Sequence, residues 1–107
     1  MEKRKPHYVL DEIKELLSDE TSRIVTRRDR KEAVSLGYAD DEAMVERVQE
    51  LRRNEFDKSM TSHHNVKLWQ DVYKTSDGDI GLYIKLQKSP NGEGVIVSFK
   101  RNTEEDY

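Results

Sequence analysis

Cysteine is absent from this chain of 107 residues, so neither a disulfide framework nor a thiolate metal site is available to hold the fold. Long apolar runs are also missing: the longest are only a few residues, too short to span a bilayer. Met-Glu-Lys-Arg-Lys at the start leads into no apolar signal core, so the expected location is the cytoplasm, with no membrane partner. There is no Gly-rich phosphate loop, no nucleophile elbow around a serine and no internal repeat. What is left is one small domain, because a chain of this size buries only about two-thirds of the surface its unfolded form exposes.

Hydrophobic residues make up 34% and charged residues 38%, a balance close to that of disordered chains, yet Trp69, two Phe and five Tyr suffice to anchor a compact core. The net charge of −3 argues against a nucleic-acid partner only if the charge is evenly spread, and it is not. Residues 1–57 carry 12 basic and 15 acidic side chains, residues 58–101 carry 7 and 4, and residues 102–107 carry none and 3. The central segment is therefore positive between two negative ones. Screening confines each charge to a range of about 8–10 Å, so a local positive face matters more to a phosphate than the total.

Apolar residues in the first half follow a helical period. Val9, Leu10, Ile13, Leu16 and Leu17 predict a helix over about residues 8–18. Arg23-Ile24-Val25-Thr26 is a brief β-prone stretch, after which Thr26 caps a second helix ending at Gly37 and carrying Ala33, Val34 and Leu36. Asp40-Asp41-Glu42 opens a third helix with acids favoured by the dipole, and Met44, Val45, Val48 and Leu51 form its buried stripe.

After about residue 55 the period falls to two, the mark of strands. Ile80, Leu82, Ile84 and Leu86 alternate with Gly81, Tyr83, Lys85 and Gln87; Val95, Val97 and Phe99 alternate with Ile96, Ser98 and Lys100. The turn-rich run Ser89-Pro90-Asn91-Gly92-Glu93-Gly94 joins these as an antiparallel hairpin, and Thr75-Ser76-Asp77-Gly78 marks an earlier turn. The fold expected is α+β, with N-terminal helices on one face of a mainly antiparallel sheet and the other face open. Residues 1–101 form the domain, and 102–107 read as a flexible acidic tail.

Parity places Tyr83, Lys85, Ser98 and Lys100 together on the open face, a cationic surface with a phenol in it. Gln70 joins them if Trp69 and Tyr73 point inward; packing is the expected task of those two aromatics, base stacking the alternative. Phe56 and Met60 share the parity of Lys58 and leave its side open. Cleaving RNA without a metal needs a base for the 2′-hydroxyl, an acid for the leaving 5′-oxygen and positive charge against the developing phosphorane, and Lys, Tyr and Gln can fill those roles. The plain alternative is a solvated sheet face with ordinary lysines. His63-His64 is no metal pair, since adjacent strand residues point to opposite sides and no third ligand follows at a suitable spacing; a loop histidine can still contact phosphate or act as an acid near neutral pH. Arg27, Arg28, Arg30 and Lys31 form a basic cluster on the second helix, interrupted by Asp29 and Glu32, and read as solvated more readily than as a phosphate contact.

Met-Glu-Lys-Arg-x-Pro-His at residues 1–7, Lys58-Ser59-Met60-Thr61, Trp69-Gln70-Asp71-Val72-Tyr73, Tyr83 with Lys85, and Val97-Ser98-Phe99-Lys100 together resemble the MqsR (motility quorum-sensing regulator) toxin family, in order and spacing across nearly the whole chain. The resemblance implies a RelE-like fold and ribosome-independent, metal-free and cofactor-free cleavage of messenger RNA at sites containing a GC step. It carries the family's functional lysine onto Lys58, its glutamine onto Gln70, its tyrosine onto Tyr83 and its C-terminal lysine onto Lys100. On this reading Lys58 is the base or a phosphate clamp, Gln70 orients the phosphate or a base edge, Tyr83 is the acid or a phosphate donor, and Lys100 stabilises the transition state; exchanging Lys58 and Tyr83 fits the sequence equally well. Lys85, Ser98, Arg101, His63 and His64 make up the expected RNA-binding surface around them. The resemblance further implies an antitoxin with a helix-turn-helix DNA-binding part, through which alone the pair reaches operator DNA. Two features depart from the family pattern: a slightly longer connection between Leu86 and Val95, and the acidic tail. The rival readings are a non-catalytic RNA-binding module and a protein-interaction domain using a sheet edge.

Overall fold

The helical periods of the first half become three nine-residue helices, α1 (Leu10–Ser18), α2 (Arg27–Ser35) and α3 (Asp41–Gln49), in a computed structural model that describes residues 1–103. On α1 the residues at i, i+3 and i+7, Leu10, Ile13 and Leu17, are buried. Val9, expected on the same stripe, is instead the extended residue before the helix and is exposed. Thr26 does precede α2, but its hydroxyl donates to the Asp29 carboxylate and accepts no backbone N–H. At the other end Gly37 takes φ +98°, and the Tyr38 and Gly37 amides donate to Ala33 and Val34 carbonyls, the paired bonds of a Schellman end. Val34 lies on the solvent side of that helix, whereas Ala33 is fully buried. Asp40 caps α3 by accepting the Ala43 amide at 2.9 Å, and Met44, Val45, Val48 and, just beyond, Leu51 are buried as the spacing requires.

Six strands form one sheet: β1 (Glu2–Lys3), β2 (Arg23–Val25), β3 (Phe56–Thr61), β4 (Trp69–Asp77), β5 (Ile80–Lys88) and β6 (Gly94–Arg101), in the order β1-β3-β4-β5-β6-β2. All neighbours are antiparallel except β2, which runs parallel to β6. Both edges are short, a common defence against open-ended pairing. The helices pack on one face, where Leu10, Ile13, Leu17, Ala33, Met44, Val45 and Val48 meet Tyr73, Leu82, Ile84, Leu86, Ile96 and Phe99. The α+β class expected from the sequence is the class observed, and its layering is compatible with a RelE-like arrangement.

Two local expectations need correction. The turn at Thr75-Ser76-Asp77-Gly78 is displaced: β4 continues through Asp77, which pairs with Ile80, leaving Gly78-Asp79 as a two-residue connection with Gly78 at φ +61°. The strict alternation drawn for β6 also fails. Lys85 pairs with Ser98 but Leu86 with Ile96, so Val97 is an extra residue in a bulge. One extra residue inverts parity, which puts Ile96 in the core beside Leu86 and turns Val95, expected inward, to the face of Gln87. Beyond β6 the Asn102 amide donates to the Gly81 carbonyl at 2.8 Å; of the expected acidic tail, residues 104–107 lie outside the described residues.

The N-terminal strand has no signal in local periodicity, and the segment that follows it is held by a buried carboxylate. Asp71, 1% exposed, faces the helix side of β4 and accepts the His7 amide at 3.0 Å, the Tyr8 amide at 2.9 Å and the Ser59 hydroxyl at 2.6 Å. The same segment is clamped by aromatic contacts: the His7 ring stacks on Trp69 with centroids 5.6 Å apart, and Lys3 Nζ lies 4.2 Å from the Trp69 centroid. The His7 imidazole is held below its ordinary pKa by burial first and by Lys3 second, against an opposing pull from Asp71.

Candidate active site

Cross-strand register turns scattered residues of the second half into rows on the open face. Lys58 of β3 stands opposite Val72 of β4, Val72 opposite Lys85 of β5, and Lys85 opposite Ser98 of β6. The next row is Lys74, Tyr83 and Lys100. On the other side of Lys85, Gln70 Nε2 donates to Gln87 Oε1 at 2.9 Å. Directly opposite residues in such rows bring their Cβ atoms within about 5 Å of each other. The ambiguity over Lys58 is thereby resolved: it shares a face with Lys85, while Phe56, on the far side of an irregularity after it, pairs with Tyr73 on the core face.

The apolar content of this face supports its cations. Val72 is fully buried although it belongs to the open face, where it stands in register between Lys58 and Lys85. Tyr83 is 7% and Gln70 8% exposed, so each presents an edge rather than a whole side chain. Lys100 Nζ lies 5.0 Å and Lys85 Nζ 5.8 Å from the centroid of the Tyr83 ring, within cation–π range. Lys58 Nζ lies 3.3 Å from a Glu2 carboxylate oxygen and Lys74 Nζ 3.6 Å from Asp57.

Helix α2 completes the rim. Its Arg28 is exposed and near enough to the sheet to act on Lys85 through charge, while Asp29 is 2% exposed and accepts from the Thr26 hydroxyl and the Phe99 amide. Burial pushes the Asp29 carboxyl above the ordinary aspartate value; the hydrogen bonds it accepts and the nearby charges of Arg28 and Lys100 offset only part of that. Lys85 moves down from the ordinary lysine value, by burial first and then by Lys100, Lys58 and Arg28, with Asp29 opposing. This is a cluster of cations in which the neighbours of Lys85 disfavour its charge, and one that favours an incoming anion.

Of the residues expected from the sequence, the register brings Lys58, Gln70, Tyr83, Lys85, Ser98 and Lys100 onto one face. Arg101 is not with them: it pairs with Leu82 and lies on the side of the sheet opposite Lys100, exposed to solvent. His63 and His64 are exposed on the loop between β3 and β4, closed by the Ser62 amide on the Leu68 carbonyl at 2.8 Å. Among the described residues no group of three or more His, Asp or Glu side chains gathers as metal ligands. Three participants were not among the expected site residues. Gln87 had a usable signal, its parity with Tyr83 and Lys85; Arg28, read as part of a solvated basic cluster, and Asp29 reach the sheet only through tertiary packing of a helix 55 or more positions earlier.

A family model described as motility quorum-sensing regulator, toxin of MqsA, matches residues 5–101. The mRNA interferase toxin MqsR of Escherichia coli (strain K12) is 35% identical over 100 residues, which is 94% of this chain and 98% of that protein.

Proposed function

The chain belongs to the MqsR toxin family, and from that premise we propose that it is the toxin of a toxin–antitoxin pair, an endoribonuclease that cleaves messenger RNA without ribosomes or a metal ion, at sites containing a GC step. The observation that carries the proposal is the lysine-rich open face around Tyr83. Its cations attract the phosphate backbone, and preorganised positive charge at the scissile phosphate stabilises the phosphorane more than the ground state. Lys58 clamps a phosphate, Gln70 orients a phosphate or base edge from its hydrogen bond to Gln87, Tyr83 donates to the leaving oxygen or the phosphate, and Lys100 meets the developing charge. Ser98 and Lys85 line the floor of the same surface. Residues 1–101 act as the ribonuclease unit.

An antitoxin with a helix-turn-helix part neutralises it and connects the pair to operator DNA. The relative's printed name, an mRNA interferase, supports the reaction class, and the family description, a toxin of MqsA, supports the partner.

The test is incubation of the purified, antitoxin-free protein with a defined messenger RNA and excess chelator, without ribosomes, beside Lys58→Ala, with the cut ends mapped. Cutting at GC-containing sites that survives chelation and falls by about 10²-fold or more in the variant is the expected result. Intact RNA with retained affinity would instead identify a binding module.

A further inference from the structure

We propose that Lys85, rather than Lys58, is the catalytic residue that takes the proton from the ribose 2′-hydroxyl at the cleavage site. The inference rests on the ribonuclease reading above and deepens it. Lys85 occupies the middle of the open face: Ser98 is directly opposite it on β6, Lys58 is two strands away across Val72 on β3, and the Tyr83 ring centroid is 5.8 Å from its Nζ. A phosphate that meets Lys100 and Tyr83 on one side and Lys58 on the other therefore straddles Lys85.

The surroundings of the three lysines differ in a way that separates their roles. Lys58 and Lys74 each have a carboxylate beside the ammonium, Glu2 at 3.3 Å and Asp57 at 3.6 Å. Lys85 stands among Lys100, Lys58 and Arg28, with the buried Asp29 as the opposing charge and Ser98, Tyr83 and Gln87 as its polar neighbours. Burial and these cations move its ammonium below the ordinary lysine value. A lysine serves as a base only in its neutral form, and a desolvated site crowded with like charge raises the fraction that is neutral.

In the step proposed, the neutral Nζ of Lys85 accepts the 2′-hydroxyl proton as the 2′-oxygen attacks phosphorus. The bond from phosphorus to the 5′-oxygen breaks, and that oxygen takes the proton of the Tyr83 hydroxyl, which regains one from solvent. The products are a 2′,3′-cyclic phosphate and a free 5′-hydroxyl, and Lys85 leaves the step as an ammonium that returns its proton to solvent. No oxidant, water or second reactant is consumed.

The experiment is cleavage kinetics of a defined single-stranded oligoribonucleotide over pH 6–10 by wild type, Lys85→Arg and Arg28→Gln, with thermal melts confirming each fold. Arginine keeps the positive charge but does not deprotonate in this range. The expected result is a kcat lower by about 10²-fold or more in Lys85→Arg, a KM within a few-fold of wild type, and loss of the rise in rate with pH. Arg28→Gln, which removes one like charge, moves that rise to higher pH. An oligonucleotide with sulfur in place of the scissile 5′-oxygen, whose leaving group needs no proton, restores Tyr83→Phe but not Lys85→Arg. Lys85→Arg cutting within a few-fold of wild type, or rescued by the sulfur substrate, overturns the assignment while leaving the ribonuclease reading intact. Wild-type protein that cuts nothing overturns both.

Discussion

The two faces of the sheet are made from the same strands and hold together by opposite means. On the helix side, Leu82, Ile84, Leu86, Ile96 and Phe99 are almost fully buried against three helices, and burying each such side chain contributes about 1.5–3 kcal/mol. On the open side, Tyr83, Lys85, Ser98 and Lys100 alternate with them one residue away, and Lys100 disfavours the charge of Lys85. The helix side supplies the stability that lets the open side keep cations crowded around Lys85. A face optimised for its own stability would set a carboxylate close to every lysine, as Glu2 and Asp57 stand beside Lys58 and Lys74, whereas at Lys85 the cations Lys100, Lys58 and Arg28 are opposed by Asp29 alone among the charges acting on it.

Adjacent positions on β5 give the sharpest way to break that division. Ile84→Ala opens a cavity in the core and is expected to lower stability by about 2–5 kcal/mol, read as a fall in the urea midpoint, with cleavage retained while the protein remains folded. Tyr83→Phe, one residue away, is expected to leave the urea midpoint within about 0.5 kcal/mol of wild type and to lower cleavage of RNA by about 10²-fold. If Ile84→Ala abolishes cleavage in folded protein, or Tyr83→Phe unfolds it, the faces are not separable.

Smaller effects sharpen the boundary between the faces. Asp71→Ala strips the acceptor from the His7 and Tyr8 amides and the Ser59 hydroxyl, and is expected to lose about 1–3 kcal/mol and to raise hydrogen exchange at those two amides. The smallest concerns Asp29, whose carboxyl lies above the ordinary 3.8 because of burial. A raised carboxyl contributes stability that is fully present below 3.8 and lost as pH rises through the folded value, so ionised Asp29 weakens the fold at neutral pH. Asp29→Asn keeps an acceptor for the Thr26 hydroxyl and the Phe99 amide. Its melting temperature relative to wild type is therefore expected to increase from pH 4 to pH 7 by a few degrees at most; a falling difference would mean that the charge stabilises the fold.

Legibility in the sequence followed the range of the interactions. Helix α3 was readable in full, since Asp40 caps it and Met44, Val45 and Val48 repeat within two turns. Ile80 to Gln87 were readable too, because a regular strand alternates whatever its neighbours do. The alternation of β6 broke at Val97, where the extra residue has meaning only against its partner strand. Strand β1, two residues long, pairs with Ser59 and Met60 more than fifty positions away, and nothing in Glu2-Lys3 announces it. The candidate site divides in the same way: Tyr83, Lys85 and Lys100 were grouped by parity and the intended hairpin, while the side taken by Lys58 waited for the pairing of β3 with β4.

Composition and periodicity alone determined an α+β domain with one apolar and one cationic sheet face, because side-chain direction along a helix or strand is a local consequence of backbone geometry. Only the tertiary structure decided which lysine stands beside Glu2 and which among cations, that Arg28 and Asp29 border the sheet, and that Arg101 faces away. Those facts rest on register, a bulge and helix packing, which join residues far apart in the chain, and charge acts through the distances so created rather than through position in the sequence.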